Sequence, residues 1–213
     1  FLISFVAVLF LMGFGLKAAL VPFHAWLPDA HPSAPAPISA MLSGVFIKTL
    51  GVYALCRIIF NVLGASSKIL FILLILGVIS MIVGALLAIA QRDIKRMFAY
   101  SSISQIGYII FALGIGSPLA IMGGLLHLFN HAIFKSLLFL NSGAIEYSTG
   151  TRDLKRLGGL NSKLPITGYT SLMGAMSISG IPPLAGFWSK LIIIIDALQQ
   201  RYFGFATIAI LVS

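Results

Sequence analysis

The sequence predicts an all-α fold, a polytopic membrane helix bundle with two broken helices. Three observations carry this. The chain is 59% hydrophobic and 9% charged with a mean hydropathy of +1.06, far from the roughly 45 to 50% apolar and 25% charged of soluble domains. Its apolar runs recur at the length of about 20 residues that a membrane-crossing helix needs. Two of these runs contain prolines at depth, Pro22 in one and Pro182 with Pro183 in the other.

The runs place spans at 1–28, 37–62, 67–91, 97–115, 118–145 and 165–200, with a seventh starting near 203. The first is interrupted at Pro22, with Pro28 close behind. The second opens after a proline-rich stretch and carries Lys48 in its interior. In the third, Ser80, Gly84 and Ala88 form a small-xxx-small series that lets another backbone approach. The fourth places Ser101, Ser104, Gln105 and Tyr108 on one face, either for hydrogen bonds between helices or for a water-lined path. The fifth carries His127, His131 and Lys135. The sixth contains "SGIPPLAGFWSK", where two prolines remove backbone donors and clash with the preceding turn. No strand-like alternation of the kind a membrane barrel requires is present.

Freed backbone groups survive at membrane depth only where protein or a watery cavity satisfies them. Two interrupted helices in corresponding places of two halves point to a transport site built from inverted repeats. The 213 residues leave no room for a separate soluble domain and read as a single membrane domain, 1–213. Both ends lie in apolar runs, Phe1 without a charged leader, so the chain is expected to be a fragment of a longer polytopic subunit that lacks N-terminal helices and a C-terminal part.

A net charge of +9 raises nucleic acid as a partner, but the basic residues fall in short clusters between apolar runs, the pattern of cytoplasmic membrane loops. Nucleic acid is therefore not an expected partner. The loops with Arg92, Lys95 and Arg96 and with Arg152, Lys155, Arg156 and Lys163 hold seven basic residues, against three (Arg57, Lys68, Arg201) on the opposite side. The first side, Arg92 to Arg96 and Arg152 to Lys163, is assigned to the cytoplasm. One cysteine, Cys56, excludes an intrachain disulfide and a four-cysteine cluster site.

Depth then sorts the ionisable residues. Lys17, Lys48, His127, His131, Lys135 and Lys190 lie deep, whereas the five acids, Asp29, Asp93, Glu146, Asp153 and Asp196, lie in loops or near span ends. A charge at the bilayer centre costs at least about 2.5 to 3.5 kcal/mol on insertion scales, so a deep set that is entirely basic needs a reason. Snorkelling accounts for Arg57 and Lys68 near span ends. It fails for Lys48, roughly 16 Å along its helix from the proline end at 1.5 Å per residue. A lysine withdrawn from water exchanges its proton more readily near neutral pH. The competing reading is a structural ion pair with a carboxylate.

His127, His131 and Lys135 recur every four residues and so form a stripe that steps about 6 Å and turns about 40° at a time. Such spacing, bridged by water, suits a proton relay. A histidine pair at i, i+4 can hold zinc, but no further Cys or His lies at depth to complete the site, so no metal is expected. Two haem ligands on one helix cannot reach opposite faces of the ring. Lys17 before one break and Lys190 after the other then read as charges that gate or store a proton where a broken helix opens the backbone.

The segments "GLKAALVPFHAWLPDAHPSAPAPISAMLSGVFIKTLGVYALCRI", "QRDIKRMFAYSSISQIGYI", "LLHLFNHAIFKSLLFLNSGAI" and "SGIPPLAGFWSK" together resemble the antiporter-like proton-translocating subunits of respiratory complex I, energy-converting membrane hydrogenases and multisubunit sodium/proton antiporters. The resemblance covers nearly the whole chain. It implies an inverted-repeat antiporter-like fold in which this chain spans the seventh to thirteenth transmembrane helices. Lys17 then stands on the broken seventh helix, Lys48 on the eighth, His127, His131 and Lys135 on the eleventh, and Lys190 on the broken twelfth. In that family such residues form a hydrated mid-membrane axis for protons, with sodium as the other ion carried. The family's glutamate that pairs with the seventh-helix lysine falls before Phe1, so Lys17 is expected to find its carboxylate outside this chain. "AHPSAPAPISAMLSG" and "IKTLGVYALCRI" look closest to the hydrogenase-associated and related prokaryotic branch.

The resemblance further implies a non-catalytic subunit with no redox centre or cofactor of its own. Its partners would be other membrane subunits and a peripheral redox arm holding iron-sulfur clusters with nickel-iron or flavin. It would lie in a prokaryotic cytoplasmic membrane. The alternative is a subunit of a sodium/proton antiporter without a redox partner. An organic-anion transporter with a broken-helix site, or a passive scaffold, would use the same deep lysines as counter-ions or as assembly contacts.

Overall fold

The computed structural model describes residues 2–213. The elements are α1 (Leu2–Ala18), α2 (Leu27–Ser33), α3 (Ala36–Asn61), α4 (Ser67–Ile89), α5 (Ile94–Ile115), α6 (Pro118–Thr149), a 3-10 turn (Leu154–Arg156), α7 (Leu160–Lys163), α8 (Pro165–Ile178), α9 (Ala185–Gln199) and α10 (Phe203–Val212). The fold is all-α, and α3 to α6 are long and apolar enough to cross a membrane. Among the described residues the only β-type pairing is an isolated bridge between Asp93 and Asp153. The chain is an integral membrane protein.

Both broken spans end in the same way. α1 stops at Ala18, with Ala19 left-handed at φ 59° and Leu20 donating to the Gly15 carbonyl at 2.8 Å. α8 stops at Ile178, with Gly180 left-handed at φ 70° and Ile181 donating to the Met176 carbonyl at 3.1 Å. Each is a helix-stopping turn in which the residue past the left-handed one caps a carbonyl five positions back. The first break falls where Pro22 marks it: α1 ends at Ala18, four residues before Pro22, as α8 ends at Ile178, four residues before Pro182. Pro28 does not interrupt anything, because it sits in the first turn of α2, where its missing N–H is no loss.

Protein groups satisfy the freed backbone. The Val21 amide donates to Ser80 Oγ at 3.1 Å and Trp26 Nε1 donates to the Leu16 carbonyl at 2.9 Å. Ser80 thus ties the first break to α4.

α4 and α5 pack as an antiparallel pair in one register: Leu74 against Gly114, Gly77 against Phe111, Met81 against Gly107, Gly84 against Ser104. The four glycines lie seven apart on each helix, two turns, so they face the partner repeatedly. Backbone meets backbone at each of them. The expected close approach at Gly84 is present, and Gly77, Gly107 and Gly114 extend it.

α5 then lies between two apolar cores. On one side Ile106, Ile109 and Leu113 pack with Leu11 of α1 and Val52, Leu55 and Ile59 of α3. On the other, Tyr108, Phe111 and Ala112 pack with Ile193 of α9 and Ala206 and Ala209 of α10.

The loops assigned to one side do meet. Arg152 Nε lies 3.2 Å from Asp93 and 3.6 Å from Glu146, and its Nη1 donates to the Pro32 carbonyl at 2.7 Å. Lys95 pairs with Glu146 at 2.9 Å, and Arg96 pairs with Asp29. At the opposite end Ser117 caps α6, accepting from the Ala120 amide at 3.0 Å, and donates to Asp196 of α9.

Candidate functional site

α6 positions three of the deep residues on one buried stripe, His127, His131 and Lys135, each fully buried. The helix extends to Thr149, four residues past its expected end, because a serine cap with Pro118 at the start and left-handed Gly150 at the close leave nothing inside to stop it. His127 is held on both sides: Nδ1 lies 2.8 Å from Ser189 Oγ of α9 and Nε2 lies 3.1 Å from Gln105 Oε1 of α5. Lys135 Nζ donates to the Phe98 carbonyl at 3.0 Å and to Ser101 Oγ. His131 has no hydrogen-bond partner at either ring nitrogen among the described residues.

Lys190, on α9, is buried and donates to the Ile178 carbonyl at the end of α8 and to Ser213 Oγ at 3.0 Å. A cation at a helix C-terminus meets the negative end of the helix dipole. Its Nζ also sits 4.7 Å from the centre of the Tyr108 ring, which lies 5.9 Å from the His127 ring. The polar face of α5 therefore contacts the stripe at Ser101, Gln105 and Tyr108, through hydrogen bonds and a ring.

Lys48 is 0% exposed and its Nζ has no partner among the described residues. Among the described residues no carboxylate pairs with it, so the structural ion pair is not formed there. Two π-type turns flank it, Leu42–Phe46 and Thr49–Tyr53. Such turns are rare and cluster at functional positions. Gly44 lies against Ser136 and the Ala132 carbonyl of α6, and Gly51 against Ala18 of α1, so α3 is wedged between two helices on either side of its lysine.

Lys17 is not brought to this group. It is exposed in the last turn of α1, on the outer surface of the chain, whereas Lys48, His127, His131, Lys135 and Lys190 are buried.

One residue escaped the sequence reading. His31, in a segment that its prolines mark as a connection, is 0% exposed, stacks on Phe139 with ring centres 4.6 Å apart and leaves both ring nitrogens without partners among the described residues. Burial, then the charges of Lys48, Lys135 and Lys95, push its pKa down to about 3, so it is neutral in the fold at physiological pH. The unfolded chain protonates the same group near 6.5 and therefore binds the extra proton between about pH 3 and 6.5, which makes stability fall as pH falls through that window. The expected result is a melting midpoint that drops faster with acid for the wild-type protein than for His31→Phe, equivalent to about 2 kcal/mol at pH 5. Parallel curves would contradict it.

The whole chain, residues 1–213, matches the family model described as the transmembrane region of NADH:quinone oxidoreductase and Mrp antiporter subunits. The chain belongs to this family of antiporter-like membrane subunits. It is 38% identical to NADH-quinone oxidoreductase subunit N of Desulforudis audaxviator over 94% of this chain and 40% of that protein. It is 39% identical to Hydrogenase-4 component B of Escherichia coli over 89% of this chain and 30% of that protein. Its fold superposes on the Mrp complex from Dietzia with a TM-score of 0.94 and 34% identity, covering 98% of this chain and 39% of that one. The chain thus spans two fifths or less of these relatives, each a component of a larger assembly.

Proposed function

We propose that the chain is the proton-translocating part of a membrane subunit in a redox-driven respiratory or hydrogenase-type complex, and that Lys48, His131, Lys135, His127 and Lys190 form its relay. The observation that supports this is the set of five buried basic residues, of which Lys48 and both nitrogens of His131 have no partner among the described residues. Two unit charges about 6 Å apart at an effective dielectric of about 20 repel by about 3 kcal/mol. Charging one base therefore opposes charging its neighbour and drives a proton onward. Lys48 and Lys135 act as proton stores, His131 and His127 as carriers between them, and Lys190 as the store beside the second break. Tyr108 and Gln105 hold the carriers in line. Lys17 joins this relay only through a carboxylate supplied from outside the chain, which fits a single membrane domain cut from a longer subunit.

The second reading is a sodium/proton antiporter subunit without a redox partner, supported by the likeness to the Mrp complex. Identities of 38% and 39% to an oxidoreductase and a hydrogenase component do not separate the branches. Partners do. Tagging the full-length parent protein, extracting it in mild detergent and analysing the co-purifying material for subunits, iron, nickel and flavin tests the proposal. Iron with nickel or with flavin, in a peripheral arm on the side of Arg92 and Arg152, is the expected result. Membrane subunits free of metal and flavin would replace the redox reading with the antiporter.

A further inference from the structure

The relay needs access to water: Lys190 lines a small cavity of about 130 Å³ at the second break, whereas Lys48, His127, His131 and Lys135 are fully buried. A cavity of about 390 Å³ opens on the basic side, lined among others by Pro32, Ser33, Pro35, Lys95, Glu146 and Arg152. Its proline wall follows directly on His31, which is buried behind it. On its inner side the His31 ring stacks on Phe139 of α6, four residues along from the buried Lys135, while Lys95 of α5 lines the cavity. His31 therefore sits between the cavity and the buried bases.

The other cavity residues are engaged. Lys95 is held by Glu146 at 2.9 Å and by the Ala34 carbonyl at 3.4 Å, and Arg152 by Asp93, Glu146 and the Pro32 carbonyl. His31 is free to act chemically while fixed in place: its carbonyl accepts from Ser39 Oγ at 2.9 Å, and its ring rests on Phe139. Phe139 in turn meets Phe98 with ring centres 5.8 Å apart, and the Phe98 ring lies 5.6 Å below Lys135 Nζ. A buried imidazole with two unpartnered nitrogens is an unsatisfied polar group whose cost needs a compensating use.

We propose that His31 carries protons between the basic-side cavity and the buried lysines, as the access residue of the relay. This rests on the relay reading above. The step moves a proton and no electrons. One ring nitrogen takes a proton from cavity water. The other nitrogen releases its proton toward an uncharged Lys48 or Lys135 amine through water, and the ring returns to its first tautomer.

The test uses the intact complex with the full-length chain, reconstituted in proteoliposomes and driven by its own reaction. His31→Phe keeps the ring, the volume and the stack on Phe139 but cannot hold a proton. The expected result is normal assembly with proton translocation lowered about a hundredfold. His31→Ala is expected to lose the rate and to regain part of it when imidazole is added. A His31→Phe complex that translocates at the wild-type rate, or a His31→Ala loss that imidazole does not relieve, overturns the proposal. Lys48→Ala measured alongside separates the two readings: if it is inactive while the His31 variants are active, the relay stands and the access route lies elsewhere. If it too is fully active, the relay itself falls.

Discussion

Replacing Lys48 by alanine in the full-length chain leaves the complex assembled and abolishes proton translocation. The expectation about assembly follows from what Lys48 lacks. Among the described residues its fully buried Nζ has no hydrogen-bond partner and belongs to no ion pair. Removing one member of a buried ion pair strands the other charge and costs about 3 to 5 kcal/mol. Removing a lysine with no such partner strands nothing and takes away a desolvation cost. A structural lysine and a proton-storing lysine therefore predict opposite results in one experiment. Lys48→Met, which keeps the volume against α6, is expected to assemble at least as well as wild type. Lys48→Arg keeps the charge but not the ability to release it, so it is expected to assemble less well and remain inactive. Translocation should fall about a hundredfold or more in all three. The checks are the amount of assembled complex on native gels and the proton gradient formed in vesicles. An assembled Lys48→Ala complex with an intact gradient would remove Lys48 from the path.

Much of this arrangement was legible in the sequence, for physical reasons. A charge in an apolar run is rare and costly, so Lys48, His127, His131, Lys135 and Lys190 announce themselves by position alone, and the four-residue spacing on α6 gives the stripe. Prolines mark the second break well. Pro22 marks the first break equally, four residues past the end of α1; only Pro28 misleads, because it opens a new helix instead of interrupting one. The π-type turns around Lys48 have no local signature; they arise where Gly44 and Gly51 let α6 and α1 press on α3 from two sides.

His31 and Lys17 show the converse. His31 follows Asp29 and precedes a proline-rich stretch, every local sign of an exposed connection, yet α5 and α6 close over it. Its burial is a tertiary property that no window of sequence contains. Lys17 looks as deep as Lys48 by position in its run, but α1 has neighbours on only one face: Phe5, Leu9, Met12 and Leu16 are exposed with it. Depth along a helix and direction around it are separate quantities, and the lone apolar span fixes the first only.

Gly107→Val is expected to eliminate the protein from the membrane. A methyl group at Gly107 would stand 2.5 Å from the Met81 amide nitrogen and 2.7 Å from the Gly77 carbonyl oxygen, atoms of another helix backbone that cannot rotate aside. The helices would have to separate. Because Gly77, Gly84 and Gly114 share one register with Gly107, separation at one site opens the contact at all four. Helix association in a membrane depends on such packing rather than on escape from water, so nothing replaces it. Alanine at this position is expected to cost about 2 to 3 kcal/mol, near the upper end for overpacking, and valine more than about 4. Gly158→Ala is the control, since a methyl group there meets no atom within 4 Å. Membrane abundance measured by immunoblot should rank control, alanine and valine in that order; a Gly107→Val protein at full level would refute the backbone-to-backbone contact. The alanine variant also probes function. α5 holds His127 through Gln105, Lys135 through Ser101 and the ring under Lys190 through Tyr108, so pushing α5 away from α4 drives all three contacts toward the relay. Translocation per assembled complex should therefore fall along with abundance.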